Sequence, residues 1–314
     1  MNHWKLKTPV AFLIFNRPGT TAKVFEKIRE AQPSVLLVVA DGPRKNHPYD
    51  GENCKKVRAI IEGVDWECEV RKNYAGENLG CRDRVSSGLD WVFSMVEEAI
   101  ILEDDCLPHP TFFRYCEELL GRYRYDERIS HVSGTNLLFG KERMGYSYHF
   151  SLYGYIWGWA SWRRSWIGYD VNMTLWPEIR NGGWLQDILG NERFVRHWQQ
   201  MFEKAYQHGI DTWDYQWVFH CWANHRLAIL PNVNLISNIG SGENATHPTQ
   251  KSPWNNLKAD SMTFPLAHPP FIVRDSVSDD QTESKRHQTQ PLLMDAFRHF
   301  KRFIWKWAFR AFHL

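Results

Sequence analysis

Between Val10 and Tyr123, short apolar runs alternate with longer segments whose apolar residues recur at helical spacing. This alternation constrains the fold more than any other feature. Parallel strands need long crossovers, usually helical, so strand–helix alternation points to a mostly parallel sheet covered by helices. Val10–Phe15 and Ser34–Ala40 are continuously apolar, as strands buried on both faces are. Glu67–Arg71 reads as a short strand and Ala99–Leu102 as a further buried one. Between them, Val24, Phe25 and Ile28 share one helical face, Val57, Ile60 and Ile61 another, and Leu79, Val85, Leu89, Val92 and Phe93 a third. A fourth helix is expected to open near Pro110 and to carry Phe112, Cys116, Leu119, Leu120 and Tyr123.

Beyond about Ser130 the pattern loosens. Tyr153–Trp166 is rich in Gly and Trp, which suggests loops and short strands around a site. Helices are expected near Glu192–Gln207 and Tyr215–Asn224, with a strand at Leu227–Leu230. Arg274–Pro291 is polar and almost free of large apolar residues, the composition of a linker or flexible loop. After it, Leu293, Phe297, Phe300, Ile304, Trp307, Ala311 and Leu314 form one helical stripe, interrupted by Arg298, Lys301, Arg302, Lys306 and Arg310. A membrane span needs about 20 mainly apolar residues. A basic amphipathic helix on an anionic membrane surface fits 292–314 better, and a helix packed on the main domain is the alternative. The expected organisation is a main domain over 1–273, in two halves, 1–125 and 126–273, followed by a polar linker over 274–291 and the amphipathic helix over 292–314.

Charge excludes one large class. The formal net charge is +2, without the basic excess of a nucleic-acid binder, so no nucleic-acid partner is expected. The six cysteines form no C-x-x-C pair or zinc pattern and read as reduced core thiols of a cytoplasmic protein. The first apolar run meets Asn16-Arg17-Pro18 rather than a cleavage site and is better taken as a core strand. The expected location is therefore cytoplasmic, peripheral on the inner face of the membrane if 292–314 binds there. The chain holds 16 tryptophans, many beside Gly, Asp or Tyr between Tyr153 and Trp222. They suit either a sugar cleft or a buried aromatic core.

The strongest chemical signal is Glu103-Asp104-Asp105 at the end of the strand Ala99–Leu102. Ligands of open α/β sheets bind at the carboxyl ends of strands, which places these acids at the cleft. Two like unit charges 4 Å apart repel by about 4 kcal/mol at an effective dielectric near 20. A divalent cation with a preference for oxygen, Mg²⁺ or Mn²⁺, would remove that cost and neutralise a diphosphate leaving group. An isolated acidic turn in solvent is the competing explanation.

Four motifs in order make the stretch from residue 9 to 120 resemble the GT-A glycosyltransferases, particularly family 2 and the N-acetylglucosaminyltransferase I type. They are Phe15-Asn16-Arg17-Pro18 at the end of the first strand, Asp41-Gly42 at the end of the second, Asn78-Leu79-Gly80 opening the third helix with Arg82 and Arg84 following, and Glu103-Asp104-Asp105. The resemblance implies an α/β, Rossmann-like GT-A fold, a nucleotide-sugar donor (UDP-sugar favoured) and Mn²⁺ or Mg²⁺ as cofactor. By it, Asp105 ligates the metal, while Glu103 and Asp104 hold the ribose or donor sugar. Asn16, Arg17, Asp41, Asn78, Gly80 and Arg84 belong to the donor site. Trp157, Gly158 and Trp159 line the donor sugar, with Gly158 allowing close backbone approach.

The resemblance also places a general base, probing the acceptor hydroxyl, on the Trp213-Asp214 segment. Asp214 opens a helical pattern, where the dipole favours a carboxylate. A helix N-cap is the competing role, and Asp211 is the fallback base. The Asn238-Ile239-Gly240-Ser241-Gly242 loop leads to His247, a further metal ligand in many GT-A enzymes though not in all, and forms a lid. The acceptor is expected to be a glycan or lipid-linked hydroxyl, and transfer to invert the anomeric centre. Two other classes compete. A sugar nucleotidyltransferase would carry a glycine-rich, basic loop after the first strand, and Asn16–Thr20 is poor in glycine. A non-catalytic carbohydrate-binding protein would leave the acid triplet and Asp214 without a role.

Overall fold

The computed structural model describes residues 4–138, 145–240 and 256–289. The first half follows the expected alternation: β1 (Val10–Ile14), α1 (Pro18–Ala31), β2 (Val35–Ala40), α2 (Asp50–Ile61), β3 (Glu69–Tyr74), α3 (Gly80–Met95) and β4 (Glu98–Glu103). A short β5 (Cys106–Pro108) and α4 (Thr111–Tyr123) follow the acid triplet. The second half contributes β6 (Ile129–Ser133), β7 (Tyr148–Ser151) and β8 (Trp159–Trp162). The helices α5 (Arg163–Trp166), α6 (Trp176–Asn181), α7 (Leu185–Leu189), α8 (Glu192–Tyr206) and α9 (Asp214–Ala223) come next, then β9 (Leu227–Pro231), β10 (Ile236–Asn238) and α10 (Ser276–Thr289).

Eight strands form one sheet in the order β3-β2-β1-β4-β8-β6-β9-β7. Pairing is parallel from β3 through β4 and between β6 and β9. β8 runs against both β4 and β6, and β7 against β9. The fold class is thus α/β, a mostly parallel, Rossmann-like sheet flanked by helices. Its continuous apolar runs are explained by burial on both faces. Val10, Phe12 and Ile14 pack with α1, α2 and α4, whereas the intervening Ala11 and Leu13 pack with α3, α8 and α9. Crossover helices on both faces leave the strand ends to form the site. The carboxyl ends of β1, β2 and β4 share an edge with the start of β8, because β8 is antiparallel.

One expectation needs correction here, and one open alternative is decided. The polar stretch 274–291 is not a linker, because residues Ser276–Thr289 form α10. Its acidic residues face inward: buried Asp279 accepts hydrogen bonds from the Leu152 N–H (3.1 Å) and Arg274 Nε (2.7 Å), and Glu283 accepts from Trp198 Nε1 (3.0 Å). A helix anchored by buried carboxylates has no apolar stripe to betray it. The tryptophans, second, are mainly core. Trp159, Trp166, Trp176, Trp198, Trp213, Trp217 and Trp222 are buried in the cluster beneath α8 and α9. Residues 292–314 lie outside the described part. Among the described helices none is long and apolar enough to cross a membrane. All six cysteines are free.

Candidate donor and acceptor site

Three strand ends and the loop after β10 surround a cleft of about 540 Å³, whose lining includes Phe15, Arg17, Asp41, Asn78, Arg84 and Glu103–Asp105. The acid triplet stands where β4 stops. Asp104 is buried and accepts the Phe15 N–H at 3.1 Å, tying the ends of β1 and β4 together. Arg17, the N-cap residue of α1, pairs with Asp104 and, at 2.9 Å, with Asp105 Oδ2. Burial opposes its charge, but Asp104 and Asp105, with Glu103 behind them, raise its pKa above the ordinary arginine value. Burial, then the two neighbouring aspartates, raise the pKa of Glu103, and its Oε1 is buried without a partner. Burial also raises that of Asp104, and Arg17 offsets part of the rise.

At the end of β2, Asp41 is buried and accepts hydrogen bonds from the Gly42 N–H (2.8 Å), the Leu79 N–H (2.9 Å) and Asn78 Nδ2 (2.7 Å). Desolvation raises its pKa and the backbone donors of Leu79 and Gly42 counter it. The Asp41 carboxylate therefore holds the 78–80 turn against the strand end. Arg84 staples the β2 and β3 ends from below, donating to Ala40 O (3.2 Å) and Asn73 O (2.6 Å). Gly80 lines the cleft at φ +81°, a backbone conformation that favours glycine.

The expected donor residues do not all reach the cleft. Asn16 is not among its lining residues: its Nδ2 donates to Asp50 Oδ1 at 2.7 Å. Asp50, which the sequence reading missed, also takes Arg44 Nε at 2.6 Å, and Arg44 stands over the Phe15 ring, 5.4 Å from its centroid. Phe15 and Arg44 line the cleft in place of Asn16. Trp159 is fully buried and stacks on Trp213 at 5.7 Å, so no sugar can reach it. Gly158 has a packing role: at φ +60° its missing Cβ leaves room for Ile236 and Leu102. Of that trio only Trp157 lines the cleft.

The two candidate bases separate. Asp211 lines the cleft, but its carboxylate accepts the N–H groups of Cys81 (3.0 Å) and Arg82 (2.8 Å) at the start of α3. It caps that helix from a distant segment. Asp214 does not line the cleft: it lies in a separate cavity of about 60 Å³ with Tyr155, Ile156 and Trp198. Its Oδ1 accepts from the Thr212 hydroxyl and from the Tyr215 N–H at 3.0 Å, and it is near enough to Glu103 to help raise the pKa of that acid. Another cavity, about 310 Å³ and more apolar, sits at the β7 edge between Tyr146, His149 and Phe271 and holds none of the acid triplet.

The loop after β10 closes onto the triplet. Ile239 N donates to Asp105 O at 2.8 Å. A Cβ on Gly240 would fall 2.9 Å from Arg17 Nη1 and closer still to Asp105 Oδ2, so a larger residue would have to push those side-chain ends aside. His247 lies outside the described residues. Among the described residues no group of three His, Cys, Asp or Glu side chains could hold a metal unaided. The donor set nonetheless fits a cation held in part by a ligand: Glu103 has an orphaned buried oxygen, and a guanidinium stands between Asp104 and Asp105 as a cation would. Mg²⁺ characteristically takes one or two carboxylates and completes its shell with phosphate oxygens and water.

No protein-family model matches the sequence, and no curated protein matches it. Among solved structures, the chain is similar to the mannosyltransferase PcManGT from Pyrobaculum calidifontis in complex with GDP-Man and Mn²⁺, at 13% identity and a TM-score of 0.36. That match covers 52% of this chain and 46% of the other, so the chain spans about half the length of the mannosyltransferase. It is also similar to a UDP-glucose pyrophosphorylase complexed with UDP-glucose, at 12% identity, a TM-score of 0.27 and coverage of 46% and 63%. A third match is 4-diphosphocytidyl-2C-methyl-D-erythritol synthase from Anaerococcus prevotii DSM 20548, at 11% identity, a TM-score of 0.32 and coverage of 50% and 71%.

Proposed function

We propose that this chain is a metal-dependent, inverting glycosyltransferase that moves a sugar from a nucleoside-diphosphate donor, UDP-sugar favoured, to a hydroxyl of a glycan or lipid-linked acceptor. The observation that carries the proposal is the convergence of Arg17, Asp41, Asn78 and Glu103–Asp105 from separate strand ends on one cleft of about 540 Å³, within the usual range for a small-ligand site. Phe15 and Arg44 form its nucleoside end, and Trp157 offers a ring to the donor sugar. Asp105 would hold a divalent cation, Mn²⁺ or Mg²⁺, which supplies positive charge to the departing diphosphate. Arg17 is the side chain available to pair with the phosphates. Asp214 accepts the proton of the attacking acceptor hydroxyl, and the β10 loop excludes water.

In this reading 1–125 bind the donor and 126–273 the acceptor. His247 remains a proposed second metal ligand. The segment 292–314 is proposed to hold the protein on an anionic membrane surface from the cytoplasmic side, which sedimentation with anionic vesicles before and after removal of 292–314 would test. The donor site is tested by calorimetric titration of UDP, GDP, CMP and dTDP, with Mn²⁺ or with chelator, into the wild type and Asp105→Ala. Tight binding of one nucleotide that needs both Mn²⁺ and Asp105 is expected. Metal-independent binding, or none, would sink the transferase reading. Release of pyrophosphate from a nucleoside triphosphate would favour a nucleotidyltransferase instead.

A further inference from the structure

The cation demanded by the acid triplet is supplied, in this structure, by the chain itself. The Arg17 guanidinium bridges Asp104 and Asp105, at 2.9 Å from Asp105 Oδ2. The other Asp105 oxygen meets the Cys106 thiol at 3.4 Å, so both are engaged. Gly240 lies so close to Oδ2 that a Cβ there would have to displace the Asp105 and Arg17 side-chain ends. A divalent ion joining Asp105 here would meet the guanidinium already on that carboxylate, and the two positive charges would repel each other. Arg17 is also incompletely satisfied: among the described residues its buried Nε has no acceptor. An anion with several oxygens would serve that fork better than two aspartates. The N-terminus of α1, where Arg17 sits, has no side-chain cap and no acidic residue in its first turn, so negative charge there meets no repulsion from the helix itself.

We propose that Arg17 is an exchangeable counter-ion: it neutralises Asp104 and Asp105 until donor and divalent metal arrive together, then passes to the donor diphosphate. The exchange makes metal loading depend on the nucleotide, so the protein alone binds metal poorly. This inference rests on the transferase reading for the identity of the anion, but its test is separable. Free Mn²⁺ would be followed by electron paramagnetic resonance as it is titrated into the wild type, Arg17→Gln, Arg17→Lys and the double variant Arg17→Gln/Asp105→Asn, each with and without UDP or GDP.

Without nucleotide, Arg17→Gln should bind Mn²⁺ at least tenfold more tightly than the wild type, and the double variant should lose that gain. The wild type should gain at least tenfold in Mn²⁺ affinity on adding the nucleotide, and Arg17→Gln much less. Arg17→Lys, whose point charge cannot bridge both carboxylates as the fork does, should fall between; it carries the test if Arg17→Gln does not fold, and an affinity equal to the wild type would then overturn the proposal. Unchanged or weaker nucleotide-free Mn²⁺ binding in Arg17→Gln would overturn it as well. If neither nucleotide binds the wild type at any Mn²⁺ concentration while Arg17→Gln still gains Mn²⁺ affinity, the transferase reading fails and the counter-ion role stands.

Discussion

Asp211 and Asp214 are three residues apart, both are acidic, and they should fail in opposite ways. Asp214→Asn keeps an acceptor for Thr212 and for the Tyr215 N–H, so folding should change by no more than about 0.5 kcal/mol. It cannot take a proton. A positioned base contributes about 10²–10⁴ in rate, or about 3–5 kcal/mol of barrier, and that is the expected loss. Asp211→Ala removes the acceptor for two N–H groups at the start of α3. Loss of a helix cap costs about 0.5–2 kcal/mol, and the exposure of Asp211 puts the figure near the lower half, about 1 kcal/mol. For a chain of this size that corresponds to a drop in Tm of about 1–2 °C. The assay is release of nucleoside diphosphate under saturating donor, with an acceptor hydroxyl or water as the attacking group, beside thermal melts followed by circular dichroism. Transfer at the wild-type rate in Asp214→Asn, together with a collapse in Asp211→Asn, would invert the assignment and show that the cap of α3 is the base.

Other perturbations separate binding from folding in the same way. Trp157→Ala should weaken donor binding with little change in stability, whereas Trp159→Ala should cost about 3–5 kcal/mol in urea unfolding and leave nucleotide affinity intact in the folded fraction. Gly240→Ala should reduce metal-dependent nucleotide affinity about tenfold, or about 1.4 kcal/mol, because its Cβ would meet Asp105 and Arg17; unchanged affinity in titration calorimetry would show that the loop yields freely. The pH dependence of stability should report Asp50. Its pKa is lowered to about 2, first by the hydrogen bond from Arg44, against desolvation, and then by Asn16. A depressed carboxylate stabilises the fold above its unfolded value and loses that contribution as pH falls toward its folded value. Asp50→Asn should thus flatten the stability curve between about pH 4 and pH 2, by about 1 kcal/mol once the partial exposure of Arg44 is allowed for.

The legible half of this protein is the half where one signal has one cause. β1, β2 and β4 were readable because a strand covered on both faces must be apolar throughout, and their ends fixed Arg17, Asp41 and Glu103–Asp105 at one edge. Trp159 and Asn16 were misplaced because residue type alone does not say which way a side chain points. In a regular strand Trp157 and Trp159 would share a face, but Gly158 at φ +60° breaks the alternation, so Trp159 enters the core while Trp157 faces the cleft, and Asn16 turns away to Asp50. α10 was hidden for the reverse reason. Its inward face carries Asp279 and Glu283, whose partners Arg274, Ser151 and Trp198 come partly from distant segments that no local pattern can reveal.

The same limit explains the acid triplet. Local sequence showed three carboxylates that need a cation and suggested a metal. It could not show that Arg17, 87 residues away from Asp104 in the chain, already meets that need. An acidic motif in sequence therefore specifies a requirement for positive charge rather than the identity of the charge. The structure adds that the requirement is met internally by a side chain of limited reach, beside a glycine that leaves no spare volume. Whatever cation and anion enter this cleft must do so in exchange for that pairing, and the affinity they show will be the difference between two neutralised states rather than the attraction of a bare acidic site.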